Sequence, residues 1–473
     1  MLSFSAVLYI SEWIIRAIML LVVTRRREPA STMAWLLVIF FIPWLGLVLY
    51  WLIGENRLPR RRIEQHADAF HRLGQVAARF TGHRNVVRPT LGPEAEVAVT
   101  LAERLGYMPI LGGNSVTLIT DTDEVINRLV ADIDAAERHI HLLFYIFAAD
   151  ATGRRVGDAL VRAAQRGVAC RLMVDAVGSR RMLKTLAPEL ASRGVEVHAA
   201  LPVGLFRRRM ARIDLRNHRK IAVFDGRIAY AGSQNIVSAD YGHNDLAWDD
   251  IMVRLTGPSV LELQAVFVSD WYSESGVLLD NEDAFPEPEV TGDVPVQAVP
   301  SGPNYQTENF QRLVVAALYT ARHQVVITTP YFVPDRPLMQ ALEVAVLRGV
   351  EVHLIVPRRS DQRIVAAASR AYYDSLLDAG VRLHLYDKGL LHSKTFSIDD
   401  RFAIIGSDNL DIRSFELNFE LSLLFYSREV TTELRARQFA YMEHTFELTA
   451  ERWGQRRAWK RLAYNIAKLM SPL

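Results

Sequence analysis

Cysteine is all but missing from this chain. Cys170 stands alone among 473 residues, which excludes an intramolecular disulfide and a cluster of thiolate metal ligands. An excess of one charge sign is missing as well. The 55 lysines and arginines face 53 aspartates and glutamates, so no global field draws the molecule to nucleic acid. Carboxylates at metal-ligand spacing are also lacking, and the site developed below is expected to work without a metal or other cofactor. Nor does the N-terminus carry a basic region ahead of its apolar run. Arg25, Arg26 and Arg27, followed by Glu28 and Pro29, stand where small residues would mark a cleavage site, so a removed signal peptide is not expected.

Apolar character is concentrated at the N-terminus. Residues 33–53, MAWLLVIFFIPWLGLVLYWLI, run for twenty-one positions without a charge. That length crosses the roughly 30 Å hydrocarbon layer as a helix, with Pro43 and Gly46 tolerated and aromatic anchors among Trp35, Trp44, Tyr50 and Trp51. Residues 4–23 form a weaker second span, interrupted by Glu12 and Arg16. Their i,i+4 spacing lets the two pair on one face, and an interfacial helix is the alternative. A two-helix membrane anchor over residues 1–56 is the expectation. Three arginines lie between the spans, whereas Arg57, Arg60, Arg61 and Arg62 follow the second, which favours a cytoplasmic main domain.

Beyond about residue 93 the pattern changes to short strands alternating with amphipathic helices. IHLLFYIF (140–147), GRRVGDALVRAAQRG (153–167) and VACRLMVD (168–175) read as strand, helix, strand. The order recurs as QVVITTPYFV (324–333), PLMQALEVAVLRG (337–349) and VEVHLIVP (350–357). The helix ends ALVRAAQRGV and ALEVAVLRGV align 182 residues apart, and GVEVHAAL matches GVRLHLYD at 186. Three matched elements in one order indicate a duplication of an α/β unit. The Pro-, Gly- and acid-rich stretch 282–303 reads as the connection between the halves.

Each half then carries one polar pattern. In the first, His218, Lys220 and Asp225 precede Gly232, Ser233 and Asn235; in the second, His392, Lys394 and Asp399 precede Gly406, Ser407 and Asn409. Both have the form H-x-K-x4-D, with G-S-x-N beginning seven residues after the Asp. His and Lys two apart on a strand share a face. Two imidazoles suit cleavage of a phosphodiester through a covalent intermediate, one as nucleophile and one as acid, then base. Two Lys and two Asn supply charge and donors to the phosphate. Each half offers one such His, so the reaction needs both.

These motifs resemble the duplicated motif that defines the phospholipase D superfamily, and the repeat covers residues 112–445. WLIGENR (51–57), VPSGP (299–303) and GSDNLDIRSFELNFE (406–420) are similar to bacterial cardiolipin synthases in particular. The resemblance implies an α/β fold: two duplicated phospholipase D-like α/β/α/β/α sandwich domains about a pseudo-two-fold axis, the site between them, behind the N-terminal anchor. It implies transfer of a phosphatidyl group between two phosphatidylglycerol molecules, with release of glycerol, at the inner membrane of a bacterium. It also implies a covalent phosphohistidine, with His218 of the first motif as nucleophile and His392 as proton donor. In the superfamily a carboxylate after the motif orients the His. Glu420, twenty-eight residues after His392, fits that place in the second half. In the first half the choice lies between Asp249 and Asp250, past an insertion around 241–245, and strand phase favours Asp250.

The implied division is an anchor at 1–56, a basic amphipathic linker at 57–110, phospholipase D-like domains at 111–281 and 304–473, and the connection at 282–303. Two features fall outside it. The first half has an extra basic loop, LFRRRMAR (205–212), just before His218, suited to anionic headgroups or to plain solvation. At the end of the chain, residues 451–470 have the pattern of an interfacial helix, or of one packed on the body. The same double motif also serves phospholipase D-type hydrolases, nucleases and transferases with other alcohol acceptors. Membrane spans and balanced charge disfavour a nuclease. A non-catalytic membrane scaffold is the rival from another class, and the intact His, Lys and Asp of both halves speak against it.

Overall fold

The structure is a computed structural model that describes residues 3–24, 29–54, 64, 84–89, 93–202, 214–241, 247–279, 281, 283–305 and 308–470. The basic loop 205–212, residues 242–245 of the insertion, and the arginines at 25–27, 57 and 60–62 lie outside them. The chain divides into a small unit, Met1–Pro59 with Val203–Leu215, and a large one, Arg60–Pro202 with Arg216–Leu473.

In the large unit the duplicated apolar runs become adjacent strands of one sheet. His139–Phe144, Ala169–Asp175 and Glu196–Ala200 pair in parallel, joined by the helices Ala151–Gln165 and Arg180–Ser192. Asp150 starts the first helix by accepting from Gly153 N, and Gly167, at φ 90°, ends its turn in a backbone region that favours glycine. On the other side of His139–Phe144 the sheet continues antiparallel through Lys220–Phe224, Ile228–Gly232, Met252–Thr256 and Leu111–Ile119. The second half repeats this order: Arg382–Tyr386, Glu351–Pro357, Gln324–Thr328, Thr395–Ile398, Phe402–Gly406, Asn418–Phe425, Val294–Ser301. Leu111–Ile119 pairs with Val294–Ser301, so the halves close into one sheet whose order is mirrored about that pair, with one further edge strand, Thr445–Leu448, beyond Arg382–Tyr386 of the second half.

Each half packs its outer helices on its own core, and a third core is shared. Leu143, Ile221 and Val253 of the first half meet Ile405, Leu421 and Leu423 of the second there. The duplicated α/β sandwich is thus present, with its two halves fused along a common sheet and core.

The stretch 282–303, expected as a connection, is a linker only in part. Its residues Val294–Ser301 form a central strand that pairs with both Leu111–Ile119 and Asn418–Phe425. Pro295 and Pro300 disguise it, because proline donates nothing to a ladder. Gln297 compensates through its side chain, donating to the Met108 carbonyl and accepting from the Tyr426 hydroxyl.

The small unit departs from the expected anchor. Phe4–Val23 is one continuous helix and, among the described residues, the one long and apolar enough to cross a membrane. The stronger run 33–53 is instead broken into Pro29–Phe41, Pro43–Leu49 and a π-helical turn, Tyr50–Gly54. Pro43 cannot donate to the preceding turn, and Ile42 leaves helical geometry at φ −136°, ψ 74°. The chain folds back so tightly that a Cβ on Gly46 would lie 2.8 Å from Ile39 Cα. Arg16 donates from Nε to the Phe40 carbonyl at 3.0 Å and pairs with Glu12 at 3.3 Å. The pair expected only to neutralise itself therefore also caps a helix end exposed by the break.

Candidate active site

Each motif His follows a two-residue strand that crosses to the other half. Arg216–Asn217 runs parallel to Asn418–Phe419, and His218 N donates to the Phe419 carbonyl at 2.8 Å. Leu390–Leu391 runs parallel to Trp248–Asp249, and His392 N donates to the Asp249 carbonyl at 2.8 Å. The next residue on each facing strand is a carboxylate. Hence Glu420 Oε2 lies 2.8 Å from His218 Nδ1, and Asp250 Oδ1 lies 2.7 Å from His392 Nδ1. This corrects the pairing expected for Glu420, which serves the imidazole of the first half and not His392 of its own. Spacing along the chain could not reveal the exchange, because it arises from strand pairing across the pseudo-two-fold axis.

The two lysines complete the centre. Lys220 and Lys394 occupy the same face as their histidines, and each donates from Nζ to its own motif's carbonyl, to His218 O at 2.6 Å and to His392 O at 2.5 Å. All four side chains are buried. The G-S-x-N segments brace the carboxylates. Ser233 Oγ donates to Asp250 Oδ1 at 2.6 Å, while Ser407 Oγ accepts from Leu421 N at 3.0 Å, beside Glu420. Glycine precedes each serine because the facing strand is too close for a side chain. A Cβ on Gly232 would sit 2.3 Å from the Ile251 carbonyl oxygen, and one on Gly406 would sit 2.3 Å from Ser422 Oγ. Asn235 Oδ1 accepts from Ile146 N at 3.0 Å, whereas Asn409 Oδ1 has no hydrogen-bond partner among the described residues.

Asp225 and Asp399 belong elsewhere. They were expected among the catalytic residues, but each sits at the turn after its strand, at φ 53° and 48°. Asp225 accepts from the backbone N–H groups of Glu137, Arg138 and His139, and Asp399 from those of Arg322, His323 and Gln324. They tie the turn to the start of the neighbouring strand and contact neither imidazole. A short acidic side chain fits here because Asp tolerates the left-handed region and accepts several N–H groups at once.

Four further residues escaped the sequence reading. Arg219, between His218 and Lys220, points to the opposite face of its strand and is 1 % exposed. It binds Asp270 at 2.6 Å, the Glu420 carbonyl at 2.9 Å and the Ser301 carbonyl at 3.1 Å, locking the first motif to the second half. A charged residue in the alternate position of a buried strand was the available signal. The Tyr145 ring lies 4.7 Å from the His218 ring, and the Trp248 ring 4.6 Å from the His392 ring. Asp408 is buried under Glu420, held by the Ser301 and Ser422 hydroxyls.

Burial and crowding of cations set the charge states. Burial, then Lys220 and Lys394, push His218 well below the usual imidazole range. Burial and Lys394 bring His392 down to about 4, despite the Asp250 carboxylate. Burial also lowers Lys220 to about 8 and Lys394 to about 7. The two carboxylates differ. Burial works against ionised Asp250, but His392 and Lys394 outweigh it and hold the group at about 2. Burial lifts Glu420 to about 7, with Lys220 opposing. The arrangement presents two neutral imidazoles, each held at Nδ1 with Nε2 unpartnered among the described residues, beside two lysines whose charge burial weakens and a bound anion would reinforce. An imidazole held in this way can act as a nucleophile, and one that takes up a proton can act as a general acid.

Comparison with known proteins bears on this arrangement. A family model described as "Cardiolipin synthase, PLD-like domain" matches residues 129–271 and 314–442, and one described as "Phospholipase_D-nuclease N-terminal" matches residues 14–55. Proteins named cardiolipin synthase A from Yersinia pseudotuberculosis serotype O:1b (strain IP 31758) and from Yersinia pestis are each 36% identical over 468 residues, covering 97% of this chain and 96% of their own. Among solved structures, the phosphatidylserine synthase of Haemophilus influenzae Rd KW20 shares the fold, with a TM-score of 0.61 at 15% identity over 80% of this chain and 100% of its own.

The turn aspartates give a direct test. Asp225→Ala should strand three backbone donors and lower stability by roughly 2–4 kcal/mol, read as a lower melting temperature. His218→Ala, which strands no backbone donor, should leave the melting temperature close to that of the parent. Equal melting of Asp225→Ala and parent would refute the structural role.

Proposed function

This chain belongs to the phospholipase D-like cardiolipin synthase family, and we propose that it condenses two phosphatidylglycerol molecules to cardiolipin and glycerol through a phosphohistidine on His218. The observation that carries this reading is the exchange of carboxylates, which leaves two buried imidazoles with Nε2 free in one enclosed centre. His218 donates from Nδ1 to ionised Glu420, so its Nε2 lone pair attacks phosphorus. The bond from phosphorus to the headgroup glycerol oxygen breaks, and His392 gives that oxygen its proton. Glycerol leaves. The terminal hydroxyl of a second phosphatidylglycerol then attacks the phosphorus. His392 takes its proton, the P–N bond breaks, and His218 is restored.

His392 must hold a proton for the first step, yet burial, and after it the neighbouring lysines, keep it neutral in the free protein. An entering phosphodiester anion offsets Lys220 and Lys394 and lets His392 take up the proton. The same two ammonium groups, with Asn235 and Asn409, balance charge on the equatorial oxygens. Asp225 and Asp399 support the strands. The substrate is a membrane phospholipid, and the small N-terminal unit serves as the anchor. The charge pattern around residues 57–62 supports an inner-membrane protein with its large unit on the cytoplasmic side.

Two outcomes are expected. Rapid denaturing quench at mildly alkaline pH with labelled phosphatidylglycerol should trap an adduct on the peptide containing His218, since the P–N bond is lost in acid. His392→Asn should still form it with an activated leaving group, whereas His218→Asn should not; an adduct on His392 would reverse the roles. In the pH profile, Glu420 must be ionised, so kcat/KM should rise with pH through about 7. Both lysines must be protonated, so it should begin to fall as pH passes about 7, the value for Lys394, and fall more steeply past about 8, the value for Lys220. A Glu420→Gln variant should lose the acid limb near 7 and retain the alkaline one. An unchanged acid limb would assign that ionisation to another group.

A further inference from the structure

The terminal helix Ala458–Met470 has two faces, and only one is used by the fold. Its inner side packs on the large unit. Ala467 is buried against Ala368 and Val333, the Tyr464 ring stacks on Trp453 at 6.0 Å, and Lys468 Nζ lies 4.1 Å from the Tyr372 ring centroid. These contacts fix the helix orientation. The other side carries Trp459, Leu462, Ile466 and Leu469, which are 60%, 62%, 49% and 78% exposed. Spacings of three, four and three residues put the four on one stripe. That stripe needs a partner, because water does not reward four large apolar side chains held in a row.

The surrounding charge indicates which partner. Residues 452–470 contain six lysines and arginines and no acidic residue. Lys460 Nζ sits 5.8 Å from the Trp459 ring centroid, so a cation stands at the margin of the stripe with its stem along apolar surface. An apolar stripe with a tryptophan and basic flanks is complementary to the boundary between acyl chains and anionic headgroups. Position relative to the chemistry agrees. The terminal helix packs on the helix Arg363–Arg370. Two residues before that helix, the Asp361 carboxylate accepts from the Tyr331 hydroxyl at 2.6 Å and lies close enough to Lys394 to stabilise its charge.

We propose that the exposed face of Ala458–Met470 docks on the surface of a bilayer carrying anionic headgroups, as a membrane contact separate from the N-terminal anchor. Docking would hold the second half of the catalytic centre against the leaflet that supplies its lipid. Contact with the leaflet is made by apolar burial along the stripe and strengthened by the flanking cations.

The test uses the full chain with Leu462→Cys bearing an environment-sensitive fluorophore; Cys170 is buried and does not compete. The protein is reconstituted into digalactosyl diacylglycerol vesicles with or without sulfoquinovosyl diacylglycerol, an anionic lipid; neither lipid carries a phosphodiester. The readout is therefore independent of turnover, and failure of the catalytic reading would leave it intact. The label at 462 should shift to the blue and be quenched by spin-labelled lipid, more strongly with the sulfolipid present. A control label at Glu189→Cys, on an exposed helix of the first half, should show neither effect. Arg457→Glu with Lys460→Glu, neither of which pairs with the body among the described residues as Arg461 does with Asp374, should lower the docked-to-undocked ratio, roughly fivefold for each charge removed, while helix content by circular dichroism stays constant. Equal quenching at 462 and 189, or quenching indifferent to the sulfolipid, would overturn the proposal. So would a blue shift that persists in detergent and grows with protein concentration, since that would assign the stripe to a second copy of the chain.

Discussion

Two imidazoles and two ammonium groups share one buried centre, and the fold exists in a form that makes this bearable. Cations that crowd together out of water are costly unless carboxylates and hydrogen bonds compensate them. Here the compensation comes crosswise: Glu420 of the second half serves His218, and Asp250 of the first serves His392. Neither half is electrostatically complete alone. The common sheet, the shared core and the strand Val294–Ser301 hold the halves in the register that brings each carboxylate to the other's imidazole.

The symmetry is broken where chemistry would need it broken. Under His392 stands an Asp250 that stays ionised, braced by the Ser233 hydroxyl. Under His218 stands a Glu420 lifted towards neutrality, with Asp408 buried beside it and Arg219 bound to its carbonyl. The position of Asp408 is held in the first half by the uncharged Gln234. The second half therefore carries an extra acid and the first an extra arginine, both on the Glu420 side of the centre. A duplicated scaffold has thereby acquired two unlike acid–base pairs.

Much of this was legible in the residues. The repeated strand–helix–strand order and the twin H-x-K-x4-D motifs pointed to a duplicated α/β fold with one imidazole per half, because period and spacing are local properties. What failed was anything decided by pairing across the chain. Glu420 was matched to the nearer histidine in sequence. Asp225 and Asp399 were counted with the chemistry, although three backbone donors apiece claim them. Prolines hid a central strand at 294–301, and Pro43 broke a run whose hydropathy alone promised a span. The C-terminal helix reads in sequence as either packed or interfacial; the structure packs one face on the large unit and leaves Trp459, Leu462, Ile466 and Leu469 of the other exposed.

The crossed pairing is the central claim, and single-turnover kinetics of the carboxylate variants addresses it most directly. With an activated leaving group that needs no proton, Glu420→Gln should slow formation of the adduct, because it disturbs the attacking His218. Asp250→Asn should form the adduct at close to the parental rate and then fail in transfer to the acceptor hydroxyl, where His392 must act as base. The reverse pattern, with Asp250→Asn slow in attack and Glu420→Gln slow only in transfer, would contradict the account.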